Sequence, residues 1–446
     1  MFDAMSNLLW LWLALFAALL SVIIRSGTRG GVFLLTYFVG LSLIHVPGAL
    51  MYLGSAPNLY QEQVTLLGFQ ATLLGLTALI FGAWAGRTRP ANVASFSPIP
   101  DLNYAKLGEK FLVLGLGVSF VAMPVLSFIP SSTAVLSSGG ALLPLGFWCW
   151  LYGTHITKDR KRYFLALALM PILPVLTMVS GGFIGYGVYW MLAIAAFIYW
   201  LSPHKKWYLL LSPLFVVMGL SFAVAYFGER NALREAVWTE QATLGSRLER
   251  VGDMLTKFQF IDIDDPDHVR PIDERLNQNI LVGLAIERHQ GNVIDLAYGA
   301  TVPLWVLIPR ALWSDKPAVG GSGDIVSNAT GLTFGEYTSV GVGQPLEFYL
   351  NFGWSGIVVG FALLGYLLMR LDMALAMAFK RGDVKAILFA GLPGLALMQP
   401  GGSLMEILVA FIGAYLAAHL VHRFLKKPGM LQLGDGSTSR RLAGKR

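Results

Sequence analysis

Along Leu214-Phe215-Val216-Val217-Met218-Gly219-Leu220-Ser221-Phe222-Ala223-Val224-Ala225-Tyr226-Phe227-Gly228-Glu229-Arg230-Asn231-Ala232-Leu233-Arg234-Glu235 the chain changes solvent. An apolar run ends at Phe227, and a charged stretch of 118 residues, Gly228 to Pro345, begins. That insert holds 16 of the 26 acidic residues and 10 of the 33 Lys and Arg, so it carries −6 while the rest of the chain carries +13. Concentrating acids and many arginines in one insert of an otherwise apolar chain points to chemistry there.

The remainder reads as membrane. Hydrophobic residues make up 55% of the chain and charged residues 13%, with a mean hydropathy of +0.61; a soluble domain carries about 25% charge. Apolar blocks run over 7–24, 31–53, 64–86, 111–129, 134–156, 163–180, 183–201, 207–227, 346–369, 386–402 and 404–424. Each is long enough to cross a hydrocarbon core of roughly 30 Å as a helix. The expectation is an all-α polytopic membrane protein of about 11 spans. Residues 1–227 form an eight-span bundle, 228–345 an extracytoplasmic loop, 346–427 a three-span bundle and 428–446 a disordered cytoplasmic tail.

Loop charge sets the expected topology. Arg25 and Arg29 follow the first block, Arg87, Arg89, Lys106 and Lys110 the third, Lys158 to Arg162 the fifth, and Lys205 and Lys206 the seventh. The even loops lack Lys and Arg, so they are expected outside, and the insert with them. The N-terminus is then outside and the C-terminus cytoplasmic. No cleavable signal peptide is expected, because no Lys or Arg precedes the first block. The basic balance follows the short loops and does not suggest nucleic acid. The single cysteine, Cys149, sits in an apolar block and reads as packing.

Within the insert, Leu244, Leu248, Val251, Leu255 and Phe258 recur at helical spacing, with Arg247, Arg250, Asp253 and Lys257 opposite. A second helix is expected from Ile272 to His289, with Leu276, Ile280 and Leu284 on one side. Asp262 to His268 reads as a solvated acidic turn; its spacing fits no EF-hand. Ile294–Ile308 is short for a span and reads as interfacial or re-entrant. Ala318–Gly343 is a Gly- and Ser-rich loop.

Nucleotide-binding and familiar zinc- or serine-hydrolase motifs are absent from the sequence, and no metal or cofactor is expected. The cations suggest an anionic substrate, since guanidinium groups bind phosphate by paired hydrogen bonds. Arg230 and Arg234 follow the eighth span, and Arg288 and His289 end the second insert helix. Arg310 and Lys316 flank Trp313 between Pro309 and Pro317. Glu347, at the start of the ninth span, Glu336 and Glu406 are candidate bases, with His289 a further one. His45 reads as an interior hydrogen-bonded histidine.

Pro309-Arg310-x-x-Trp313-x-x-Lys316-Pro317, a Gly-rich loop and then Glu347-Phe348-Tyr349-Leu350-Asn351-Phe352-Gly353-Trp354-Ser355-Gly356 resemble the Wzy-type oligosaccharide repeat-unit polymerases, the O-antigen and exopolysaccharide polymerases. The motif match covers about 50 residues. The late outer loop, in a chain with a GT-C-like number of spans, is similar to that family too. The resemblance implies metal-independent glycosyl transfer at the periplasmic face of a bacterial inner membrane. The donor is a glycan on undecaprenyl diphosphate and the acceptor a second lipid-linked unit, with membrane lipids, a flippase and a chain-length regulator as partners. It implies diphosphate contacts for Arg230, Arg288, Arg310 and Lys316, with Arg310 at the chemistry and Arg234 among the substrate contacts. Glu347 then serves as base, backed by His289, Trp313 and Tyr349 stack on sugars, and Glu336 contributes from the loop. The family often carries two Arg-rich outer loops; here the earlier outer loops lack Arg. An O-antigen ligase, a lipid-linked oligosaccharide flippase or transporter, and a structural subunit of a polysaccharide machine are the alternatives.

Overall fold

A computed structural model describes residues 2–26, 30–53, 59–87, 102–126, 128–129, 132–202, 206–238, 243–289, 308, 312–313, 315, 322–334 and 340–426. All regular structure among them is helical. The helices are α1 (Phe2–Arg25), α2 (Val32–Met51), α3 (Leu59–Gly86), α4 (Tyr104–Leu126), α5 (Ser132–Thr157), α6 (Arg160–Gly181), α7 (Ile184–Leu201), α8 (Lys206–Trp238), α9 (Leu244–Thr256), α10 (Pro266–Leu276), α11 (Asn279–His289), α12 (Ser322–Thr330), α13 (Gln344–Arg381), α14 (Val384–Leu397) and α15 (Leu404–Leu425). Ten of these, α1 to α8, α13 and α15, are long and apolar enough to cross a membrane. The eleventh expected span is α14, which has 14 residues. Pro393 lies inside it, and Pro400-Gly401-Gly402 follows before α15 begins.

The bundle is organised around α3 and α13, which run parallel. Gly75 faces the ring of Phe361, and Gly365 faces the Leu79 carbonyl, so the backbones approach closely through small residues. α13 is two helices joined at Gly353, whose φ of 63° and ψ of −152° suit only glycine. The insert is not a separate layer. Ile272, Leu276, Val282, Ala285 and Ile286 share one core with the spans. α8 runs on beyond the expected span end to Trp238, while every residue from Leu210 to Gly219 is exposed.

Two insert expectations change. The expected second helix is broken at Asn277-Gln278 into α10 and α11. The buried stripe of α9 is Val251 and Met254, packed with Met178, Val179, Tyr226 and Leu233, while Leu248 and Leu255 point to the exposed side. Arg247 contributes to the docked side, donating to the Val179 carbonyl at 3.4 Å. Hydrophobic periodicity located the helix, but a neighbour with its own knobs chose the face.

α11 runs antiparallel to the first turns of α3. A Cβ at Gly283 would lie 1.9 Å from the Val64 carbonyl oxygen. Gly283→Ala is therefore expected to force the two helices apart and to lower stability by about 1–3 kcal/mol, the usual cost of overpacking. Thermal unfolding in detergent measures it, and an unchanged midpoint would refute this packing.

Candidate functional site

The site lies at the end of the bundle that carries the insert. Its first part is the break between α10 and α11. Asp265 caps α10, accepting from Asp267 N, and Pro266 opens the helix. At Asn277-Gln278-Asn279 the amide side chains bond to neighbours instead of extending the apolar face. Gln278 N donates to the Ile44 carbonyl at 2.9 Å. Asn279 Nδ2 donates to the His45 carbonyl at 2.7 Å and to Asn277 Oδ1 at 3.1 Å. Asn277 Nδ2 donates to Asp273 Oδ1 at 2.8 Å. Both Asn279 protons are thus used, so its Oδ1 accepts from His45 Nδ1 at 2.7 Å. His45 is the interior histidine the sequence suggested, and its partner is the insert.

The second part is where α13 and α15 begin. Gly343 N donates to the Gly401 carbonyl and Gln344 N to the Pro400 carbonyl, both at 3.3 Å. The Gln344 amide donates to the carbonyls of Gln399 and Gly402 at 2.9 and 3.0 Å and accepts from Tyr37 Oη at 2.9 Å. Glu347 is 1% exposed. Its Oε2 accepts from Leu404 N, so the carboxylate sits at the positive end of α15. Ser403 and Glu406 complete a reciprocal capping box there, with Glu406 N to Ser403 Oγ at 3.2 Å and Ser403 N to Glu406 Oε2 at 3.0 Å.

The third part is cationic. Arg230 and Arg234, one turn apart on α8, are 6% and 2% exposed. Arg275 of α10 lies within electrostatic reach of both, and both guanidiniums meet the Tyr226 hydroxyl. Tyr226 itself donates to the Gly182 carbonyl at 3.1 Å, which ties α8 to the turn between α6 and α7. The Arg234 guanidinium lies 4.6 Å over the Phe183 ring. Phe183 and Tyr186 meet edge to face at 6.3 Å, and Tyr186 is in electrostatic reach of Glu406. An aromatic pair at the entry to α7 therefore lies between the cations and Glu406 at the start of α15.

Of the residues singled out in the sequence, Arg230 and Arg234 come together, and Arg275 joins them. Arg288 and His289 form a separate group at the far end of α11, about 15 Å along that helix from Asn279. Arg288 is exposed and lies against Gly331, and His289 Nε2 donates to the Ala329 carbonyl at 3.0 Å. Nδ1 is then the basic nitrogen of His289. Tyr349, expected to stack on a sugar, is fully buried with its ring against Trp354 at 5.6 Å. Glu347, expected at an accessible interface, is enclosed. Trp313 is half-buried. Arg310, Lys316 and Glu336 lie outside the described residues.

Arg275, Gln278, Asn279, Gln344 and Tyr186 were missed. The signal available for Gln278 and Asn279 was the polar run Asn277-Gln278-Asn279, which interrupts the apolar face of the expected second helix after Leu276. Among the described residues no group of three or more His, Cys, Asp or Glu side chains has metal-binding geometry. Comparison with known proteins finds no matching family model, no matching curated protein and no matching solved structure.

Proposed function

We propose that this chain is a membrane glycosyltransferase that polymerises oligosaccharide repeat units carried on undecaprenyl diphosphate, at the periplasmic face of a bacterial inner membrane. The observation that carries the reading is the pairing of Arg230 and Arg234 at Tyr226, with Arg275 within electrostatic reach of both, at one end of an apolar bundle. Like charges held together match a ligand carrying more than one negative charge, and the surrounding spans match a ligand with a long apolar tail. A departing lipid diphosphate has both properties. Preorganised guanidinium groups stabilise the charge that develops on it. The distribution of Lys and Arg among the loops supports a reading with this end outside and the C-terminus in the cytoplasm. A nucleotide supply is not required there, because the diphosphate donor arrives activated.

A second reading, lipid-linked oligosaccharide transport, draws on the broken elements. The α10–α11 break and the Gly353 break both lie within or beside buried polar residues, as discontinuous helices do in transporters.

Deletion of the gene in its bacterial host separates the readings. Loss of a polymerase leaves single repeat units attached to their acceptor, and the wild-type gene restores a ladder of lengths. Loss of a ligase leaves lipid-linked polymer unattached. Loss of a transporter leaves lipid-linked units on the cytoplasmic face. Either of the last two patterns would refute polymerisation.

A further inference from the structure

Two carboxylates stand at the start of α15, and they differ in access. Glu347 is enclosed, and its Oε2 is occupied by Leu404 N. Glu406 is exposed. Its Oε2 accepts from Ser403 N at 3.0 Å, which fixes the side chain over the 400–402 loop. That loop also meets α7, since Tyr189 packs against Gly40 beside Pro400. One turn before Tyr189, Tyr186 is 46% exposed and lies within electrostatic reach of Glu406. Just before the helix, Phe183 carries Arg234 over its ring at 4.6 Å. Phe183 is the extended residue that leads into α7, and its ring meets Tyr186 edge to face at 6.3 Å, so the sequence from Arg234 to Glu406 runs through one ring that carries the cation and a second that is open. Aromatic faces beside a carboxylate suit a sugar, whose C–H face stacks while its hydroxyls hydrogen-bond.

We propose that Phe183 and Tyr186 bind a sugar between the cation cluster and Glu406, and that Glu406 rather than Glu347 takes the proton from the acceptor hydroxyl. The inference rests on the glycosyltransferase reading and names the group that activates its acceptor. In the step, the acceptor oxygen forms a bond to the anomeric carbon, and the bond from that carbon to the diphosphate oxygen breaks. The diphosphate leaves with the electron pair, and the hydroxyl proton passes to the Glu406 carboxylate and then to water.

The capping box makes the test clean. Glutamine replaces glutamate in that box, so Glu406→Gln keeps the hydrogen bond from Ser403 N while removing the base. Ser403→Ala breaks the box and leaves the carboxylate. In a deletion strain carrying each gene at matched protein level, Glu406→Gln is expected to reduce polymer by about 100-fold or more. Ser403→Ala should retain most polymer, and Glu406→Asp should restore part of it. A pure capping role gives the reverse order, with Gln near wild type and Ser403→Ala impaired, and would overturn the inference. If wild type restores polymer and Glu406→Gln matches it, the inference fails alone. If wild type restores no polymer, the glycosyltransferase reading has failed and takes the inference with it.

Discussion

Arg234→Ala is expected to abolish polymer formation while leaving the protein at normal level in the membrane. Arg234 is the most enclosed cation of its cluster, 2% exposed, over the Phe183 ring and beside Tyr226 and Arg275. On the proposed reading the planar fork of that guanidinium would hold two phosphate oxygens of the departing diphosphate, and the low surrounding dielectric would strengthen each contact. Removing one such donor from developing charge lowers rate by about 100- to 1000-fold. Lysine keeps the charge and loses the fork, so Arg234→Lys should recover only part of the activity. The Phe183 contact itself is worth roughly 0.5–2 kcal/mol, so thermal stability should fall slightly. The measurement pairs glycan length distribution with unfolding temperature in detergent. A normal ladder from Arg234→Ala at wild-type protein level would remove the cluster from the reaction. Loss of the protein itself would make Arg234 a packing residue.

Much of the membrane architecture was legible because it rests on one quantity, the length of an apolar run. Ten of the eleven blocks became helices of crossing length, and the exception carried its own warning in Pro393 and Pro400. What was not legible depended on partners distant in sequence. Nothing local in Asn277-Gln278-Asn279 says that His45 and Ile44 will accept its donors. The face of α9 is settled by Val179 and Tyr226, not by its own pattern. The same division holds in the site. Arg230 and Arg234 could be chosen from their place at the end of an apolar run, whereas Arg275 joins them only because α10 folds back on α8. Glu347 was correctly placed at the start of a helix. Its enclosure follows from Leu404, 57 residues away, and could not be read from its neighbours.

Asp372 gives the sharpest case of a residue whose chemistry misleads until its partners are known, and Asp372→Ala should all but eliminate folded protein. An acid within an apolar helix is by default a functional candidate. Here it is buried on α13, 339 residues from its partners. Oδ1 accepts from Phe33 N at 2.8 Å and Oδ2 from Leu34 N at 3.1 Å, and the N–H groups of Gly31 and Val32 also point at the carboxylate. These are the donors that an α-helix leaves open in its first turn. No side chain caps α2, because the preceding residue is Gly31, whose φ of 131° turns the chain tightly past Ile23. Asp372 supplies the cap from across the bundle, and its negative charge faces the positive end of the helix dipole. Each buried N–H left without an acceptor costs about 1–3 kcal/mol, so losing the carboxylate costs on the order of 4 kcal/mol or more. That is a large fraction of the roughly 5–15 kcal/mol that holds a typical fold. Asp372→Asn should also destabilise, since an amide directs its own donors at N–H groups. A catalytic or ion-carrying acid would behave differently, losing activity in a protein of normal stability. If Asp372→Ala accumulates, melts like wild type and fails only in glycan assembly, the capping role is wrong and the carboxylate belongs to the reaction.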